Sequence, residues 1–410
     1  MALNYVWISF FLLAFIAALV KLIGFNDVDI FQKIVLSIFD TSRVGAEIAI
    51  GLIGLMAFWL GIMKIGERGG MINLFARAVG PFFAKLFPEI PRNHPAYGSI
   101  LMNFSANMLG LDNAATPMGL KAMKELQELN PEKETASNAQ IMFLVLNASS
   151  LTLLPITIMA YRKEAGAADP SDIFIPILLA TFFSTLVGLI VTALYQRINI
   201  FNRTVLLYLG TIALGIAGLL YYFSGLPADE INTTTKVMSN VILFSIIVSF
   251  ISLAMMRRVN VFEAFIDGAK EGFEIAIKII PYLVAILVAV AVFRSSGLLD
   301  FLMDGLSYFF TSMGINSDFV PALPVALMKP LSGSGARGLL IDLMNTSGAD
   351  SFPSRVASVI QGSTETTFYV LAVYFGSVGI KRTRHALPAA LLAELAGVIA
   401  AIFIAYMFFH

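Results

Sequence analysis

The sequence predicts an all-α polytopic membrane protein built from two inverted-topology repeats, each with a re-entrant helical hairpin and an interrupted transmembrane helix. Three observations predict it. Of 410 residues, 58% are hydrophobic and only 13% charged, with a mean hydropathy of +0.82, whereas soluble domains carry about 25% charged residues. Several windows reach the roughly 20 apolar residues a helix needs to cross the hydrocarbon core, and the short alternating segments of a membrane barrel are absent. Polar stretches sit inside those apolar runs, and they recur in both halves of the chain.

Taken in order, residues 5–23 form a first helix. It lacks the basic flank and small-residue cleavage pattern of a signal peptide. A more polar, partly acidic segment runs on to Arg43, and residues 45–63 span before Gly66-Glu-Arg-Gly-Gly70 breaks the helix. Residues 71–87, interrupted by Arg77 and Lys85, read as an interfacial helix, and 88–95 as a proline-rich turn. Residues 98–109 are apolar but hold Asn103 and Asn107, four apart and so on one helical face. Gly110-Leu-Asp-Asn-Ala-Ala-Thr-Pro117 follows, with Thr116 placed as N-cap and Pro117 as the first helical residue. Two short arms around a polar break predict a re-entrant hairpin, which is tolerated only where it lines a cavity or is buried in protein. After a polar loop at 128–137, the helix 138–161 is interrupted by Asn147-Ala-Ser-Ser-Leu-Thr152 and Pro155, because an internal proline forfeits a hydrogen bond and clashes with the preceding turn. Residues 173–195 span, and two plainer helices, 205–223 and 237–256, read as a connector around the loop 224–236.

The second half repeats the first. Gly45-Ala-Glu-Ile-Ala-Ile50 returns as Gly272-Phe-Glu-Ile-Ala-Ile277, Gly70 falls over Gly297, and Asn147-Ala-Ser-Ser-Leu-Thr152 over Gln361-Gly-Ser-Thr-Glu-Thr366. The expected organisation is an N-terminal helix and linker (1–44), a first repeat (45–197), a two-helix connector (198–256) and a second repeat (257–410). Short loops rich in Lys and Arg sit in the cytoplasm. Placing Arg257, Arg258, Lys270, Lys381, Arg382 and Arg384 inside gives the halves opposite topology, with a cytoplasmic N-terminus. That is the architecture of many secondary transporters, which bind at the midplane on discontinuous helices. Arg162 and Lys163, which fall outside, dissent.

Chemistry is expected at the breaks, since intramembrane polar and ionisable residues face a partner, a wet cavity or a substrate path. The first repeat offers Asn103, Asn107, Asn113, Thr116, Asn147, Ser149, Ser150 and Thr152 for recognition, and Asp112 for ion coupling. The second offers Ser332, Ser334, Gln361, Ser363, Thr364, Thr366, Thr367 and Tyr369, with Glu365, Lys329 and Arg337 for ion coupling. Gln361, Glu365 and Tyr369 fall at successive i, i+4 positions and form one polar stripe if the helix is continuous. Ser332-Gly-Ser-Gly-Ala-Arg337 reads as a turn opening a helix whose free N–H groups favour an anion or carbonyl oxygen. Amides and hydroxyls recognise a polar, mostly neutral solute, and Glu365 suits proton coupling or cation coordination. The alternative for Glu365 is a structural ion pair with Lys329 or Arg337. Interhelical bonding is the alternative for Asn103 and Asn107, a turn role for Asp112, and interfacial solvation for the matched Glu47 and Glu274.

Enzyme chemistry finds no foothold. Cysteine is absent and the histidines are three, His94, His385 and His410, so no disulfide, thiolate metal site or zinc site is expected. No nucleotide-hydrolase phosphate loop or zinc-protease motif occurs. No catalytic residue, metal or cofactor is predicted. Basic and acidic residues number 27 each, leaving no basic patch for nucleic acid. The expected partners are the lipid bilayer and a small polar solute, with a homo-oligomer allowed.

Longer motifs carry a family resemblance. Trp59-Leu-Gly-Ile-Met-Lys-Ile-Gly66, Leu86-Phe-Pro-Glu-Ile-Pro91 and Asn107-Met-Leu-Gly-Leu-Asp-Asn-Ala-Ala-Thr-Pro117 resemble the spore maturation protein A family. Glu263-Ala-Phe-Ile-Asp-Gly-Ala-Lys-Glu-Gly272, Pro330-Leu-Ser-Gly-Ser-Gly335, Asp350-Ser351 and the stretch from Gln361 to Tyr369 resemble the spore maturation protein B family. Both are membrane proteins of the nucleoside recognition (Gate) family, which resembles parts of concentrative nucleoside transporters and of the ferrous iron transporter. The resemblance implies a natural fusion of the two in a bacterial inner membrane, associated in spore formers with core dehydration. It lacks the cysteines expected of an iron path. The expectation is a transporter of a small polar solute, a nucleoside or nucleobase first; the alternative is a non-transporting membrane scaffold for spore maturation or cell-envelope enzymes.

Overall fold

In the computed structural model the described residues are 2–91, 94–109, 112–149 and 152–410, and their regular structure is helical throughout. Helix α1 (Ala2–Gly24) is followed by α2 (Ile30–Arg68). The expected linker up to Arg43 is therefore helix over most of its length. Its polar residues are interleaved with Ile30 and Ile34, which pack with Ala14 and Ala18 of α1, so one apolar stripe is enough to carry the helix outward.

Seven elements then appear twice, in the same order. The first unit is α2, α3 (Met71–Leu86), α4 (Pro95–Met108), α5 (Asp112–Leu129), α6 (Asn138–Ser149), α7 (Ile156–Glu164) and α8 (Phe174–Gln196). A connector of α9 (Arg203–Ser224) and α10 (Ala228–Met256) leads to the second unit. That unit is α11 (Val261–Ser295), α12 (Leu298–Ser312), α13 (Leu323–Met328), α14 (Gly333–Ser347), α15 (Phe352–Ser363), α16 (Thr367–Ser377) and α17 (Ala386–Phe409). The matched glycines share a conformation: Gly70, with φ 80°, turns α2 into α3, and Gly297, with φ 83°, turns α11 into α12. This left-handed region strains any residue with a Cβ.

Among the described residues seven helices, α1, α2, α8, α9, α10, α11 and α17, are long and apolar enough to cross a membrane; the protein is a multi-pass membrane protein. One local expectation changes. Helix α5 begins at Asp112 and takes Pro117 into its interior rather than starting at it. The helix is already running from Asp112 when it meets the proline, which forfeits its own N–H bond.

Equivalent helices pack against each other head to tail. A side chain at Gly268 would strike the Leu60 carbonyl, one at Gly272 would lie 2.5 Å from that of Met56, and Gly45 lies against Val284. Numbers rise on α2 as they fall on α11, so the pair is antiparallel and close enough for backbones to touch, as small residues permit in membranes. Its end is fastened by Lys64–Glu271 at 3.1 Å and Arg68–Asp267 at 2.7 Å. Helices α8 and α17 repeat the arrangement: Gln196 reaches His385 near one end, and Ser184 Oγ donates to the Ala393 carbonyl at 2.8 Å further in.

The loops interlock in the same crossed fashion. On one face the loop before α6 meets the loop before α17, with Ala136 N–H donating to the Arg382 carbonyl at 2.9 Å and Lys381 N–H to that of Glu134 at 2.9 Å. On the opposite face the loop before α15 meets the loop before α8. There Arg162, fully buried, donates to the Ala349 carbonyl at 2.7 Å and pairs with Asp172 at 2.9 Å and Asp350 at 3.0 Å. Arg355 takes the other oxygen of Asp172 at 3.0 Å. Burial raises the Asp172 carboxyl above its ordinary value, while the two guanidiniums oppose the shift. This cluster accounts for Arg162, which is internally neutralised and not a loop charge read by the membrane, while Lys163 stays exposed.

Candidate functional site

Both expected interruptions are present. Among the described residues α6 runs to Ser149, 152–155 are non-helical and the helix resumes at Ile156; the second helix ends at Ser363 and resumes at Thr367. Thr364 and Thr366 are extended at the second break, with φ −145° and −86°. Each hairpin tip docks on its own break through the main chain: Leu153 N–H donates to the Met108 carbonyl at 2.8 Å, and Phe368 N–H to that of Pro330 at 3.1 Å. The breaks also touch each other, Glu365 N–H donating to the Ala148 carbonyl at 2.8 Å. Backbone groups released from helical bonding are thus re-satisfied inside the protein, the condition for irregular chain at membrane depth. At the second tip Ser332 caps α14, its Oγ accepting from Gly335 N–H at 3.0 Å.

Two cavities flank this junction. The larger, about 630 Å³, lies on the side of the Lys381 loop and is lined by Asn107, Thr116, Asn147, Ser332, Ser334 and Thr366, with Phe368, Tyr369 and Tyr374 as aromatic walls. The smaller, about 150 Å³, lies on the Arg162 side and is lined by Thr152, Lys329, Gln361 and Thr364 together with the start of α7. Gly333, Arg337 and Glu365 line both. Of the proposed recognition residues, Asn107 and Asn147 are joined, Nδ2 of the first donating to Oδ1 of the second at 2.7 Å.

The expected stripe of Gln361, Glu365 and Tyr369 does not form. The helix stops between them, so Gln361 faces the smaller cavity, Tyr369 the larger, and Glu365 stands at the wall between. Glu365 is exposed. Among the described residues no ion pair joins it to Lys329 or Arg337, which donate instead to the Gln361 carbonyl at 2.9 Å and the Gly333 carbonyl at 3.1 Å. Asn103, Ser149, Ser363 and Thr367 are buried away from both cavities. Asn103 ties the first hairpin together, donating to the Ala115 carbonyl at 2.8 Å, and Ser149 and Ser363 bond back to the Leu146 and Ile360 carbonyls. Ser150 and the side chains of Asp112 and Asn113 lie outside the described residues.

One ionisable residue escaped the sequence reading. Glu394, only 4% exposed, projects from the middle of α17 toward the second break, where Oε1 accepts from Thr367 N–H at 3.4 Å. Its signal was available: it is the single charged residue of an otherwise apolar 24-residue helix. Glu394 and Lys329 together treat the broken helix as its dipole requires. An ammonium sits at the carbonyl end of α15 and a carboxylate at the amide end of α16. Glu47 and Glu274, also matched, make exposed i, i+4 pairs with Arg43 and Lys278.

Comparison with known proteins agrees with this duplicated plan. Spore maturation protein B of Bacillus subtilis (strain 168) is 51% identical over 164 residues, 40% of this chain and 90% of that protein. Spore maturation protein A of the same organism is 38% identical over 188 residues, 46% of this chain and 92% of that protein. No solved structure matches. The family model described as nucleoside recognition (Gate) matches residues 49–168 and again 276–381, once in each unit. The chain belongs to the nucleoside recognition (Gate) family.

Proposed function

We propose that the protein is a transporter of a small polar solute, working by alternating access between two inverted repeats. The observation that carries the reading is the pair of cavities on opposite sides of one thin wall formed by Gly333, Arg337 and Glu365. A solute held against that wall needs only a rearrangement of the hairpin tip and the break to change the side it faces. The antiparallel packing of α2 with α11 and of α8 with α17, and the crossed loops, support the inverted relationship. The positive-inside rule places the Lys381 face in the cytoplasm, so the larger cavity is cytoplasmic, as is the N-terminus, in a bacterial inner membrane. The protein needs no catalytic group or cofactor for this, and its partners are the bilayer and the solute.

Paired amides and hydroxyls beside Phe368, Tyr369 and Tyr374 suit a flat, hydrogen-bonding solute, since aromatic faces stack and amides offer both donor and acceptor. A nucleoside or nucleobase is the first choice, in line with the family's description. Glu365 faces both cavities and is the group we assign to proton or cation coupling.

The test is a thermal-shift screen of detergent-purified protein against nucleosides, nucleobases, other small metabolites and cations, followed by flux into liposomes, with Glu365→Gln in parallel. Ligand at 100 times its dissociation constant adds about 2.7 kcal/mol of stability. A stabilising solute whose flux disappears in the folded mutant supports the reading. The rival is a membrane scaffold, equally compatible with the family match and with the lipid-facing apolar side chains of the connector. A scaffold shows no ligand shift and tolerates Glu365→Gln.

A further inference from the structure

We propose that Glu394 is a proton-binding site of the transport cycle, set behind the second break and closed off from both cavities. The inference rests on the transport reading above and deepens it, by separating the acid that faces water from the acid that holds the proton.

Helix capping accounts for half of this carboxylate. Oε1 meets the first free amide of α16, which Thr366 leaves without a side-chain cap. Among the described residues Oε2 is buried with no well-aligned hydrogen-bond partner, and neither has the Thr364 hydroxyl, while the Thr367 side chain lies within hydrogen-bonding reach of the carboxyl group. A cap alone needs neither a full charge nor a poorly satisfied second oxygen, because an amide or hydroxyl accepts equally well. A buried, incompletely satisfied carboxylate inside a membrane helix is costly, and where one persists it marks an ion or proton path.

The surroundings choose the proton over a metal ion. The charges that reach Glu394 electrostatically are Lys329 and Glu365. Lys329 already serves the carbonyl end of α15, where a metal ion would otherwise find its oxygens. The other elements packed on α17 add little. Helix α6 carries no ionisable residue, α8 only Tyr195 near its far end, and α16 Tyr369 and Tyr374, which face the larger cavity. Helix α15 carries Arg355, engaged with Asp172, and α10 has Asp229, Glu230 and Lys236 near its start. Uptake adds one proton to the carboxylate and release returns it to water; no other bond changes. Glu365, on the wall, is the acid through which that proton arrives.

Infrared difference spectroscopy on the full-length protein in liposomes, titrated between about pH 5 and 9, reads this directly. The wild type should show a protonated-carboxyl stretching band that titrates, that is lost in Glu394→Gln and that survives in Glu365→Gln. A band unchanged in Glu394→Gln, or no titrating carboxyl band in the wild type, overturns the proposal. If Glu394→Gln fails to fold, Glu394→Asp replaces it: a displaced band supports the assignment and an undisplaced one refutes it. The readout is protonation and not flux. A band assigned to Glu394 in a protein that moves no solute would leave the proton site standing and remove the transport reading. Solute flux that persists without the band would do the reverse.

Discussion

Replacing Arg162 by methionine tests whether the buried charge cluster locks the two units together. The side chain is fully buried and makes three bonds, to the Ala349 carbonyl, Asp172 and Asp350, at 2.7, 2.9 and 3.0 Å. Methionine keeps much of the volume and removes the charge. Breaking a buried pair from one side costs about 3–5 kcal/mol, mostly from the charge left behind. Arg355 remains 3.0 Å from Asp172 and 3.8 Å from Asp350, so the loss should fall at the low end, about 3 kcal/mol. The comparison is Lys381→Met, which removes a pair to Glu134 whose side chains are 72% and 62% exposed and should cost no more than about 1 kcal/mol. Unfolding of both variants in the same detergent, followed by tryptophan fluorescence or helical circular dichroism, measures the difference. Adding Asp172→Leu to Arg162→Met should recover part of the loss, since removing both charges also removes the desolvation penalty. Equal costs for Arg162→Met and Lys381→Met, or a double variant that loses the sum of its parts, would refute a charge-based lock.

Four further outcomes follow from the geometry. Gly268→Ala drives a methyl group into the Leu60 carbonyl and should cost about 1–3 kcal/mol, whereas Gly305→Ala, with nothing within 4 Å, should be neutral or slightly stabilising; melting temperatures decide. Glu365→Gln should lower solute flux at least about tenfold, a change of about 1.4 kcal/mol, while leaving the melting temperature in the absence of ligand close to that of the wild type. Asn107→Ala and Asn147→Ala, combined in a double-mutant cycle, should show a coupling of about 0.6 kcal/mol, the average for an interhelical hydrogen bond in a membrane protein. His385 is held below its ordinary value by burial and then by Arg384, and its ring nitrogen lies 3.3 Å from Gln196 Nε2. The unfolded chain therefore binds that proton more readily. Stability should fall as pH drops from about 6.5 toward the folded-state value, and His385→Gln should flatten that part of the profile.

Much of this architecture was legible because the membrane simplifies the code. Long apolar runs gave the spanning helices, and proline, glycine and polar residues inside such runs gave both breaks and both hairpins, where backbone groups must find unusual partners. The start of α2 was misread because an amphipathic helix with Asp40 and Lys33 on its outer side resembles a linker when only polarity is weighed. The stripe of Gln361, Glu365 and Tyr369 failed for a related reason: helical spacing was applied across the residues that end the helix. Recognition residues split by geometry that composition does not encode. Asn107 and Asn103 occupy the same helical face by spacing, yet one lines a cavity and the other is consumed by Ala115 of the returning arm. Glu394 is hidden from composition because a lone acid in an otherwise apolar helix forms no polar cluster.

The hairpin tips are held to their breaks by peptide groups, Leu153 to Met108 and Phe368 to Pro330. Such joints are indifferent to which side chains the neighbouring positions carry, proline at the acceptor included. Mutation can therefore rewrite the lining of the cavities, exchanging an amide for a hydroxyl or an aromatic ring for an aliphatic one, without loosening the joints that close them. A fold fastened in this way separates heritable variation in the lining of its cavities from variation in shape.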